Sequence, residues 1–213
     1  RVLKLDDVRL VAPVLPSKII AVAKKYAAHA KEMGGEVPAS PNVFLKPNTA
    51  VVGPGEPICL PWQSEQVEHE AELAVVIGRM CRDVPADRVP EVILGYTCAN
   101  DVTARDLQRT DGQWGRAKGF DTFCPLGPWI ETEFVPDGQM LESRVDGEVK
   151  QQASIEGMLH NIPEIIAYVS ANMTLLPGDV ILTGTPSGIF PIKSGEIVEC
   201  EIEGIGTLIN PVV

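Results

Sequence analysis

The sequence predicts a mainly β fold with a few short helices, and three observations carry that expectation. The 19 glycines and 18 prolines are spread along all 213 residues, which favours many short strands and turns over long helices. Runs rich in β-formers recur, among them Lys18 to Ala23, Val75 to Ile77, Val92 to Ala99 and Val180 to Thr183. Helical spacing stands out in one segment, Met158 to Ser170, where Leu159, Ile162, Ile165, Ile166 and Val169 recur with Pro163 near the start.

The elements follow in order. Residues 1–17 read as an extended arm bounded by Pro13 and Pro16, and residues 18–213 as one domain with no repeat or linker. The chain opens at Arg1 rather than a methionine, so a short preceding segment is expected. A strand from Lys18 leads into a short alanine-rich helix, Tyr26 to Met33, which Gly34-Gly35 breaks. Asn42 to Pro47 is a strand, Gly53 to Pro57 a turn, and Glu68 to Gly78 a long strand. Pro85 to Pro90 holds a helical turn before the Val92 strand. Residues 109–128 lack periodicity and read as a long loop, of the kind that carries function. Trp129-Ile130 resumes a strand, and Met140 to Gln151 is a hairpin about Asp146-Gly147. Two last strands, Ile197 to Ile202 and Gly206 to Val212, flank a glycine-bearing turn.

Composition narrows the chemistry. Twenty-nine acids against 18 bases give a net charge of −11, which argues against binding nucleic acid through its phosphates. Five widely spaced cysteines suit buried free thiols in a reducing compartment better than a disulfide framework. Three histidines leave little for a His-rich metal site, whereas a hard cation held by oxygens fits. No apolar run reaches the roughly 18 residues a membrane helix needs, no signal peptide is visible, and the expected location is the cytoplasm.

Within the acidic strand, period-2 alternation puts Glu68, Glu70 and Glu72 on one face and His69, Ala71, Leu73, Val75 and Ile77 on the other. Three carboxylates so close repel unless a cation or water lies between them. A solvated edge strand is the competing reading. Asp101 ends the next strand, as either an N-cap or a ligand presented on a rigid support. His29 and Glu32 share a helical face, as a general-base pair or as a surface ion pair. Lys46 at a strand end is a surface lysine or a carboxylate-binding one, and His160 reads as a capping or surface histidine.

The motifs Tyr26-x-x-His29-x-x-Glu32, Phe44-Leu45-Lys46-Pro47, Glu70-x-Glu72-Leu73-Ala74, Asn100-Asp101-x-x-Ala104-Arg105-Asp106-x-Gln108, Lys118-x-Phe120-Asp121, Pro125-x-Gly127-Pro128 and Thr183-Gly184-Thr185-Pro186 occur in this order. Together they resemble the catalytic C-terminal domain of the fumarylacetoacetate hydrolase family, over nearly the whole chain from Lys18 onward. The resemblance implies a rolled, mixed β-sandwich, a homodimer, and Mg²⁺ or Mn²⁺ on Glu70, Glu72 and Asp101. It implies a small keto-acid substrate, with His29 and Glu32 activating water and Lys118 stabilising negative charge. Lys46, Arg105, Gln108 and Thr185 would contact the substrate. The activity expected is metal-dependent carbon–carbon cleavage of small 2,4-dioxo acids, by an acylpyruvate hydrolase or oxaloacetate decarboxylase. The alternatives are a 2-hydroxyhepta-2,4-diene-1,7-dioate isomerase or decarboxylase, and a catalytically silent metal- or keto-acid-binding protein. Two positions depart from the pattern. Ala23-Lys24-Lys25 replaces the usual Gly-x-Asn ahead of Tyr26, and His69 stands where relatives often carry an aromatic; facing away from the carboxylates, it reads as structural.

Overall fold

The structure, a computed structural model, describes residues 4–23, 26 and 40–213. Its largest sheet is built on β5 (Ala71–Ile77) and β6 (Ile93–Asn100), paired antiparallel. Every residue of β5 is buried, as expected of a strand covered on both faces. β1 (Ile19–Ala23), β2 (Asn42–Lys46), β3 (Val51–Val52), β8 (Cys124–Glu131) and β11 (Val180–Leu182) complete it in the order β2-β1-β11-β5-β6-β8-β3. The pairings β1–β11 and β3–β8 are parallel.

A second sheet has the order β10-β9-β13-β14, from β9 (Met140–Val145), β10 (Glu148–Ser154), β13 (Ile197–Ile202) and β14 (Gly206–Pro211). Here the side chains alternate. Leu141, Ser143 and Val145 turn inward on β9, and Val198, Cys200 and Ile202 on β13. The apolar ones pack with Leu73, Val75, Ile77 and Cys98 of the large sheet into the main core. The opposite face of the large sheet gathers Ile19, Ala21, Ala74, Val76, Leu126, Val180 and Leu182, against which Val14 of the N-terminal arm packs. A small third sheet joins β12 (Phe190–Pro191), β4 (Val67–His69) and β7 (Thr103–Ala104). Asp146 and Gly147 both have positive φ (50° and 79°), the backbone a two-residue hairpin turn requires.

Three expectations change. The strand read over Glu68 to Gly78 breaks at Glu70 into β4, in the small sheet, and β5, in the large one. The segment read as a long loop holds α1 (Arg105–Asp111), α2 (Gly115–Lys118) and the start of β8. α1 offers one apolar residue, Leu107, in seven, so no period could show. The helix expected over 158–170 is α3 (Ile162–Asn172). Asn161 caps it by accepting the Glu164 N–H at 2.9 Å, and Glu164 returns a bond to the Asn161 N–H at 3.0 Å. Pro163 takes its place in the first turn. His160 precedes that cap, with Nδ1 3.7 Å from Glu164 Oε2. The helix expected over Tyr26 to Met33 lies, apart from Tyr26, outside the described residues.

Candidate metal centre

One residue, Glu70, separates β4 from β5. Its N–H donates to Asn100 Oδ1 at 2.9 Å and its carbonyl accepts the Asp101 N–H at 2.8 Å. These bonds tie the start of β5 to the end of β6 and set Glu70 beside Asp101. Glu72, two residues on, falls on the same side by strand alternation. Oxygens from Glu70, Glu72 and Asp101 lie within 4.8 Å of one another, with the residues only 4%, 2% and 1% exposed. The solvated-edge reading therefore fails: β5 runs between β11 and β6 in mid-sheet. The N-cap reading of Asp101 fails as well, since Ala104 occupies the cap of α1.

Cations are arranged around this set. Lys118 Nζ donates to Glu70 Oε2 at 2.8 Å and to Asp101 Oδ2 at 2.6 Å. Burial pulls the Lys118 pKa down, but Asp101 and Glu70 outweigh it and hold the ammonium charged. Lys46 Nζ donates to Asp101 Oδ1 at 2.5 Å from a fully buried position behind that carboxylate. Arg105 donates to Glu68 Oε2 through Nε at 2.7 Å, to Glu70 Oε1 through Nη2 at 2.5 Å and to Gln108 Oε1 through Nη1 at 2.6 Å. Glu68, third carboxylate of the acidic face, thus serves to hold Arg105. Glu72 accepts the Gly184 N–H at 2.6 Å. Burial first, then repulsion from Asp101 and Glu70, pushes its carboxyl well above the ordinary range. Four buried carboxylates stand against three buried cations, so all four ionise together only when a further cation joins them.

That imbalance tests the fit of a metal. A carboxylate held above its usual pKa by neighbouring carboxylates relaxes when a cation joins the set. Three converging oxygens from rigid strands are the donors a hard divalent ion takes. Glu70, Glu72 and Asp101 fit such an ion.

The carboxylates open on a pocket of about 40 Å³, space for an ion and a few ligand atoms. Val22, Ala23, Phe44, Arg105, Gln108, Trp114, Lys118 and Thr185 complete its wall. Phe44 and Trp114 meet edge to face at 5.3 Å, and Lys118 Nζ lies 5.3 Å from the Phe44 ring centre. Tyr26 is buried near the site; burial and then the Glu72 charge keep its hydroxyl protonated. A larger groove of about 290 Å³ between Val89, Ile93, Tyr96 and Met158 lacks any such cluster of ionisable groups. The structure therefore brings Glu70, Glu72, Asp101, Lys118, Arg105, Gln108 and Thr185 to one pocket, with Lys46 behind it. His29, Glu32, Lys24 and Lys25 lie outside the described residues.

His69 points away from the carboxylates. Burial lowers its pKa, and the neutral ring donates from Nδ1 to Phe190 O (3.0 Å) while Nε2 meets Ser143 Oγ (2.8 Å). Sequence reasoning missed the wall residues Phe44 and Trp114, although the mixture of aromatic and basic residues at 109–128 hinted at the latter. It also missed Gln151, one polar residue among several in its strand.

The comparisons with known proteins bear on the family and the fold. Residues 18–213 match the family model described as fumarylacetoacetate (FAA) hydrolase C-terminal. A solved structure described as 5-carboxymethyl-2-hydroxymuconate delta-isomerase, from Mycobacterium smegmatis, superposes with a TM-score of 0.94 at 60% identity, covering 100% of this chain and 85% of that one. The mitochondrial oxaloacetate decarboxylase of Dictyostelium discoideum is 42% identical over 89% of this chain and 90% of its own. A fumarylpyruvate hydrolase from Pseudomonas aeruginosa, solved with Mn²⁺ and pyruvate, superposes with a TM-score of 0.88 at 32% identity, covering 93% of this chain and 90% of that one. On its sequence match and its fold, this chain belongs to the fumarylacetoacetate hydrolase family.

Proposed function

We propose that this chain is a divalent-metal-dependent enzyme that cleaves a carbon–carbon bond in a small 2,4-dioxo acid, as an oxaloacetate decarboxylase or an acylpyruvate hydrolase. The observation that carries this reading is the convergence of three buried carboxylates with Lys118 and Arg105 on one small pocket. Glu70, Glu72 and Asp101 would hold Mg²⁺ or Mn²⁺, which supplies Lewis-acid stabilisation of the enolate left when the bond breaks.

The chain's own residues do the rest. Arg105 and Lys118 present positive charge to an anionic acid. Because Gln108 Oε1 accepts from Arg105, its amide N–H groups remain to meet a substrate oxygen. Lys118 stands where negative charge develops and stays charged to offset it. Phe44 and Trp114 screen that charge from water, which strengthens each electrostatic contact. In decarboxylation the bonding pair passes from the departing carboxylate to the enolate, and solvent returns a proton to carbon. Hydrolysis adds a water at the distal carbonyl, the role proposed for His29 with Glu32. The 42% identical oxaloacetate decarboxylase supports testing oxaloacetate first.

A second reading, isomerisation of a hydroxydienoic diacid, is supported by the 60% identical relative described as a hydroxymuconate isomerase. Incubating the protein with Mn²⁺ and oxaloacetate, acylpyruvates or a hydroxydienedioate separates the readings. Pyruvate release from the first two supports bond cleavage; double-bond migration without pyruvate overturns it.

A further inference from the structure

Gln151 lies in β10, just past a register shift between Val149 and Gln151, and its side chain is buried against the large sheet. Its Oε1 accepts the N–H of Ala71, the residue between Glu70 and Glu72, at 2.9 Å. Its Nε2 donates to Thr185 Oγ1 at 2.7 Å and to Pro186 O at 2.9 Å. Thr185 Oγ1 in turn donates to Ala71 O at 2.8 Å. The bonds form a closed ring, and its partners fix the amide: Ala71 N–H can only donate and Pro186 O can only accept. The hydroxyl proton of Thr185 is committed to Ala71, so toward the pocket that oxygen can only accept. Nearby, a Cβ on Gly188 would come 2.1 Å from Lys150 O, so the loop after Pro186 sits directly on the irregular part of β10. Ser143 Oγ lies 3.1 Å from Gln151 Oε1 and 2.8 Å from His69 Nε2, backing the ring from inside.

We propose that Gln151 is a positioning residue of the centre. It sets the spacing between the start of β5, which carries Glu70 and Glu72, and the segment that presents Gly184 N–H to Glu72 and Thr185 to the pocket. The proposal deepens the metal-enzyme reading and rests on it for the kinetic arm of the test alone.

The test uses Gln151→Met, which keeps the side chain's length and removes its hydrogen bonds. Hydrogen exchange on the metal-free protein is the first readout. The Gly184 and Ala71 amides should exchange about tenfold faster in the variant, while amides of β13 keep wild-type rates. Equal acceleration throughout, or none at Gly184, overturns the proposal. The second readout is kinetic, with Mn²⁺ and oxaloacetate. Thr185 is the ring's contact with the pocket, and a contact whose bonding does not change in the reaction acts on binding, so KM should rise about tenfold with kcat within about threefold. A fall in kcat at unchanged KM overturns the proposal. If Gln151→Met does not fold, Thr185→Val opens the same ring from the pocket side and must speed Gly184 exchange alike. A wild-type protein that turns over no keto acid ends the functional reading, and the exchange result still decides the role of Gln151.

Discussion

At the scale of single residues, the centre is a problem in buried charge. Lys118 sits between Glu70 and Asp101, and removing one partner of a buried pair costs about 3–5 kcal/mol. Lys118→Met should therefore lower the stability of the metal-free protein by about that amount in urea denaturation, with part of the loss recovered on adding Mn²⁺. Glu72→Gln keeps the shape and deletes the charge, and should weaken Mn²⁺ binding at least about a hundredfold by calorimetry. Retained affinity would mean that the ion binds elsewhere. Glu70 and Glu72 are legible in the sequence because strand alternation has a period of two. Asp101 is legible as a strand terminus, although its two readings are separated only by the structure, where Ala104 takes the helix cap and the Asp101 oxygens converge with those of Glu70 and Glu72. Gln151 is not legible, because what makes it matter is the neighbour that tertiary structure brings, not spacing along the chain.

At the scale of elements, the strands are the readable part and the short helices are not. β5, β6 and the hairpin β9–β10 announce themselves by apolar runs, alternation and the Asp-Gly turn. α1 and α2 are too short and polar to leave a period. The start of α3 falls a few residues later than its apolar pattern suggests, because that pattern runs back into Met158 and Leu159, whereas the start signal is a hydrogen-bonded cap at Asn161. Asn161→Ala should cost about 1 kcal/mol in urea denaturation and leave turnover unchanged.

A second element-level device joins β1 to β11. Asp179, whose side chain is buried, accepts from Ser17 Oγ at 2.5 Å, from Leu176 N–H at 2.7 Å and from the ammonium of Lys18. Burial pushes its pKa up, but the bonds from Lys18, Ser17 and Leu176 outweigh that, and the carboxyl lies below its usual value. A depressed carboxyl stabilises the fold above the unfolded pKa of about 3.9 and loses that contribution as pH falls through the folded value. Asp179→Asn should therefore be less stable than wild type by about 2 kcal/mol at pH 7. The gap should narrow below about pH 4 in the same titration.

At the scale of the whole molecule, the carboxylates come from β5, the β4–β5 junction and the end of β6, so an ion held by all three would bind the folded form and stabilise it. An ion that binds the folded form at a hundred times its Kd adds about 2.7 kcal/mol. Thermal denaturation with Mn²⁺ against EDTA should show a clear rise in Tm; an unchanged Tm would separate the carboxylates from any metal. Among the described residues the cysteines are free, with Cys98, Cys124 and Cys200 buried as expected and Cys59 exposed against expectation, and no helix is long and apolar enough to cross a membrane.

The parallel pairing of β1 with β11 has a consequence for how the chain is made. The residues it joins stand 161 apart at Lys18 and Asp179, and a ribosome adding about 5–20 residues per second needs on the order of ten seconds to bridge them. Throughout that interval the nascent Ile-Ile-Ala-Val-Ala edge waits without the neighbour that will cover it, and such an edge invites pairing with other chains. Synthesis should therefore be the protein's most vulnerable stage, with chaperones that meet the nascent chain mattering more for its yield than for its finished stability.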